Sequence, residues 1–163
     1  MVNVNRFWHK YALTKYSFGS TSALITNLAL IVGLDNASNA KLSIIGALLV
    51  IAVADNISDS LGIHIYKESE SFKAKEVWIS TLTYFFSRLF VSLVFVLLVA
   101  FLPLQIAVIL SITFGLLVLA TISYAIAKNE GKNVYFTIVE HFFIASLVIT
   151  LSSFLGQWLV KLF

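Results

Sequence analysis

The chain has no cysteine among its 163 residues, a single proline and a single methionine. Without cysteine there are no disulfides and no thiolate-held metals, so any metal ligand must be an oxygen or an imidazole nitrogen. Charge is scarce too: 12% of residues against about 25% in soluble domains. Histidine is limited to His9, His64 and His141, with no HExxH or GxSxG pattern; we read the chain as a non-enzyme. The glycines stand alone and form no nucleotide-binding loop. Membrane topology accounts for the basic residues, so they give no support to nucleic-acid binding. What is abundant is hydrophobicity: 60% of residues are apolar and mean hydropathy is +0.95. The first residues, MVNVNRFWHKYALTKYS, are mixed and aromatic, with no apolar core ahead of a small-residue cleavage site. We read them as retained.

A helix needs about 20 mostly apolar residues to cross a bilayer. Five stretches qualify: 18–34, 42–66, 77–101, 104–127 and 135–162. Asn, Gly and Pro mark the breaks between them. The fold class is therefore all-α, an integral membrane protein of five transmembrane helices in one domain, 1–163. Arg6, Lys10, Lys15, Lys67, Lys73, Lys75, Lys128 and Lys132 fall on one side if the spans alternate, against Lys41 and Lys161 on the other. The positive-inside rule places the N-terminus in the cytoplasm and the C-terminus outside. In 2–16, Val4, Phe7, Trp8 and Tyr11 recur at helical spacing beside basic residues. This predicts an amphipathic helix on the inner leaflet. Trp8, Trp78 and Trp158 read as interface anchors.

Asp55 and Asp59 lie inside the second span, four residues apart, so both project from one side of a helix. A charge near the bilayer centre costs at least about 2.5–3.5 kcal/mol. Two on one face require a counter-charge, a proton or a bound cation. Carboxylates, hydroxyls and amides are hard ligands, and Thr21, Ser22 and Asn27 of the first span can add to them. Ser58 lies between the two acids and is counted with the ion path, although Asn56 and Ser58 point to other sides of a regular helix. Arg88 is the one basic residue inside a span. Asp55 and Asp59 therefore have two readings, as an ion-carrying pair or as partners of Arg88, and the two can coexist. Nearer the cytoplasmic end, His64 and Glu68 share a face, with Glu70 close behind. They are either a station that loads divalent cations or a solvated helix end balanced by Lys67, Lys73 and Lys75. Glu140 and His141 open the fifth span, at a cytoplasmic vestibule or beside Lys132.

Two stretches carry a family resemblance. GSTSALITNLALIVGL, from Gly19 to Leu34, resembles the first helix of the vacuolar iron transporter family, close to G-A-N-D-G-L-(V/I)-T-T-x-x-L-V-A-G-L. ADNISDSLGIHIYKESE, from Ala54 to Glu70, resembles the end of its second helix, with Ile57, Ser58, Leu61, Gly62, Ser69 and Glu70 in register. The resemblance implies a homodimer that exports Fe²⁺ or Mn²⁺ from the cytoplasm in exchange for protons, along a path lined by the first two helices. On it, Asp55, Asp59, Ser22, Asn27 and Ser58 line the path, and Asp55, Asp59, His64, Glu68, Glu70 and Glu140 are the metal ligands. No cofactor is held permanently; the metal is cargo. Ser22 stands where the family has an acid, Asp59 where it has a methionine, and Asp55 where a small residue is usual. The family's cytoplasmic helical domain between spans two and three is missing, as in its nodulin-like members. The alternative function is a non-transporting membrane anchor. The expected location is a prokaryotic plasma membrane, or else a vacuolar-type organelle membrane.

Overall fold

The structure, a computed structural model, describes the backbone of residues 4–162 and the side chains of residue 17 and residues 19–162. Five helices succeed one another: α1 (Val4–Leu34), α2 (Ala40–Ser69), α3 (Ala74–Phe101), α4 (Leu104–Glu130) and α5 (Val134–Leu162). The described residues contain no strand. Helices α2 to α5 are each long and apolar enough to cross a membrane, so the chain is an integral membrane protein. The apolar part of α1, Gly19–Leu34, is shorter. The segment expected to lie on the membrane surface is helical from Val4 and runs into α1 without a break. Trp8 and the other side chains that would define its apolar face lie outside the described residues. At 30 residues, α2 is about 45 Å long, against a hydrocarbon core of about 30 Å.

The helix ends arise from local chemistry. Leu102 is extended because it precedes Pro103, and Pro103 opens α4 with its fixed φ. Gly131, at φ +67°, stops α4, and the Lys132 N–H closes back on the Ala127 carbonyl at 2.9 Å. Asn133 then caps α5, its Oδ1 accepting from the N–H of Tyr135 at 3.0 Å and of Phe136 at 3.3 Å.

Helix α1 packs against all four others, whereas α2 packs chiefly on α1 and α3. The outer side of α2 is consequently bare, with Leu42, Val50, Val53, Ile57, Leu61 and Ile65 exposed. Helix α4 buries Ala107, Ser111, Gly115, Leu119, Ser123 and Ala127, one residue every four and nearly all of them small. Small residues let helices approach closely where lipid tails offer no hydrophobic drive. The closest approach joins α1 to α5: a Cβ added at Gly156 would lie 2.0 Å from the Gly33 carbonyl oxygen. The apolar core joins Leu24, Leu28 and Ile31 of α1 to Ile44 and Leu48 of α2 and to Val91, Phe95 and Val99 of α3. It occupies the end of the bundle where α1 finishes and α2 begins. The other end of the same three-helix contact is polar.

Candidate functional site

Arg88 sits halfway along α3 on its buried stripe and is 1% exposed. Its guanidinium is surrounded from three helices. From α2, Asp55 Oδ2 accepts from Nη2, Asp59 Oδ2 lies 2.8 Å from Nη1, and Asn56 Oδ1 accepts from Nε at 2.7 Å. From α1, Ser22 Oγ accepts from Nη1 at 2.6 Å. Tyr84, one turn back on α3, places its hydroxyl oxygen 3.3 Å from Nη1 and donates to Asp59 Oδ2 at 3.4 Å. Arginine suits this role because its planar fork presents several donors at once and keeps its charge when buried.

The two carboxylates are not enclosed like the arginine. Their side chains are 41% and 40% exposed. The formal charges of Asp55, Asp59 and Arg88 sum to one unmatched negative charge. Of the two readings drawn from the sequence, the pairing with Arg88 is present: Arg88 pairs with both acids, and one arginine cannot neutralise two.

A local irregularity brings these groups together. Residues Ile51–Asp55 form a single π-helical turn within α2, and such turns recur at functional sites. The expectation that Asn56 points away from the aspartates is overturned here. Asn56 and Asp59 both follow the π turn, three residues apart in regular α-helix, and that spacing shares a face. Asn56 is 1% exposed and touches Arg88, whereas Ser58 faces outward and joins no contact of the cluster. Sequence reasoning missed Tyr84 altogether; its place four residues before Arg88, on the same helix face, was the available signal.

The remaining expected residues lie elsewhere. Asn27 is fully buried and donates to Ser92 Oγ at 2.9 Å, about a turn from the Ser22–Arg88 contact. Thr21 is half-buried. His64 contacts Thr81 Oγ1 at 3.1 Å, and its ring meets Trp78 edge-on. The Thr81 hydroxyl gives its proton to the Val77 carbonyl at 2.9 Å. Its oxygen must therefore accept from His64 Nδ1–H. His141 repeats the arrangement: Ser123 Oγ donates to the Leu119 carbonyl and accepts from His141 Nδ1–H at 2.7 Å. Glu68, Glu70 and Glu140 are exposed. Among the described residues, no three of His, Asp and Glu come together where they could hold a metal ion. The expected ligand set is thus spread along the helices, and Asp55 and Asp59 meet at Arg88.

No family model, curated protein or solved structure matches this chain.

Proposed function

We propose that the chain transports cations across a membrane, exchanging them for protons at the Asp55–Asp59–Arg88 cluster. One observation carries this reading. A fully buried guanidinium faces two half-open carboxylates in the middle of apolar helices, leaving one negative charge unmatched. In a low-dielectric setting that charge takes up a proton or a cation. A proton taking the place of a departing cation would restore the charge balance beside Arg88. The resemblance of the first two helices to the vacuolar iron transporter family makes outward Fe²⁺ or Mn²⁺ the first cargo to test. A two-fold dimer would double the carboxylates along one path. Ser22, which holds the place of that family's first-helix acid, lies on Arg88 at 2.6 Å.

A second reading rests on the same arginine. Its contacts tie α1, α2 and α3 together, as a non-transporting membrane anchor would require. Flux separates the two. Proteoliposomes containing a divalent-ion dye are given Fe²⁺ or Mn²⁺ under an imposed proton gradient. The transporter shows gradient-dependent flux that Asp59→Asn abolishes at unchanged protein yield. Well-folded protein with no flux of either ion leaves the anchor.

A further inference from the structure

Asn56 spans two features that regular helix geometry would keep apart. In an α-helix its N–H would bond the Ala52 carbonyl, four residues back. Here that N–H reaches the carbonyls of Ile51, five back, and Val53. The Ala52 carbonyl accepts instead from the Asn56 side chain, Nδ2 to O at 3.1 Å. The other end of the same amide, Oδ1, accepts from Arg88 Nε at 2.7 Å. One buried side chain thus satisfies the carbonyl that the π turn frees and fixes the guanidinium.

The π turn contains one residue more than an α turn, so everything after it lags by one position. Closing the turn would rotate the segment 56–69 by about 100° and advance it by about 1.5 Å. Each residue of the segment would take the place of its C-terminal neighbour. Ser58 would then stand where Asp59 now meets Arg88, and Asp59 would enter the buried place of Ser60. That place already holds a polar atom in need of a partner, because Ser60 Oγ is buried and makes no hydrogen bond.

We propose that Asn56 is the positioning residue of the cluster: its amide holds the π turn, which keeps Asp59 rather than Ser58 against Arg88. Loss of the amide donor lets the segment 56–69 close into the regular register. Only the consequence of this inference rests on the proposed cation exchange. In the closed register Arg88 is balanced by Asp55 alone, and Asp59 is carried off with its proton or cation.

The lack of native cysteine makes the test clean. Spin labels are placed at Ile65→Cys on α2 and Leu82→Cys on α3, both exposed positions, in full-length protein in nanodiscs. A side chain 5–6 Å from the helix axis moves roughly 8 Å on a 100° rotation. The otherwise native protein is expected to give one distance, and Asn56→Ala a second one shifted by that order. Deleting exposed Val53 removes the extra residue, so in the Asn56→Ala background it is expected to restore the first distance. Asn56→Asp, which keeps the acceptor for Arg88 and removes the donor to Ala52, is expected to shift as Asn56→Ala does. It decides the matter if the alanine variant does not fold. An unshifted distance in the Asn56 variant, or a shift that survives the deletion, overturns the proposal. The distances need no transport: absence of flux with the shift present removes the exchange reading and leaves this one standing.

Discussion

The α2–α3 and α4–α5 hairpins look alike at one end and differ at mid-membrane. Each carries a histidine whose Nδ1–H is held by a hydroxyl on the partner helix, His64 on Thr81 and His141 on Ser123. Halfway along, α2–α3 carries the arginine and two aspartates. In the other hairpin α4 presents a stripe of small residues along its length, and α5 meets α1 through backbone-close packing at Gly156, near the end of α1. Because the histidine contact occurs in both hairpins, it reads as a device for joining helices. It does not mark His64 as a metal ligand. What sets α2–α3 apart is charge, and the charge is where the chemistry is expected.

The largest test of that contrast is Arg88→Leu. It leaves two carboxylates without their cation, and breaking a buried pair costs about 3–5 kcal/mol. Unfolding in detergent is expected to show a loss of that size, part of which returns on adding Asp55→Asn and Asp59→Asn. Gly156→Ala attacks the other region. Its Cβ meets backbone and not a flexible side-chain tip, so overpacking of about 1–3 kcal/mol or more is expected, with no recovery from changes at the cluster. Thr81→Val and Ser123→Val each take the acceptor from a histidine N–H. About 1 kcal/mol is expected in both hairpins alike; a much larger effect at Thr81 would restore His64 to the site.

The smallest effect concerns Asp35, in the α1–α2 connection, where burial pushes the carboxyl above its usual range against the weaker opposing pull of the Asn36 backbone. The folded form then binds the proton more tightly than the unfolded form does. Stability falls as pH rises through this range and is recovered on acidification. Asp35→Asn is expected to flatten that slope, read as Tm against pH from mildly acidic to neutral.

Much of this was legible in sequence. Pro103, Gly131 and Asn133 marked the helix ends for reasons that the backbone bears out, through fixed φ, positive φ and side-chain capping. The four-residue spacing put Asp55 and Asp59 on one side, and Arg88, as the lone basic residue within a span, was a candidate partner. Asn56 shares a face with Asp59 by its three-residue spacing, but the π turn was not legible, because spacing rules assume a regular helix and the added residue rotates everything after it. Nor was the dispersal of Glu68, Glu70 and Glu140: their place on helix ends was clear, but which neighbour each end would meet depends on packing. The single helix formed by α1 was hidden by a change of composition near residue 18, which alters what surrounds the backbone without breaking it.

At the centre of the proposed exchange is the one negative charge that the cluster carries beyond what Arg88 neutralises. Infrared difference spectroscopy of the purified protein tests it by recording the carbonyl band of a protonated carboxyl with and without Mn²⁺. Such a band is expected in cation-free protein, with its loss on adding Mn²⁺ and its absence from Asp59→Asn or Asp55→Asn. No protonated-carboxyl band in cation-free protein and no change on adding Mn²⁺ would contradict that expectation, since both aspartates would then be ionised and content with a single arginine.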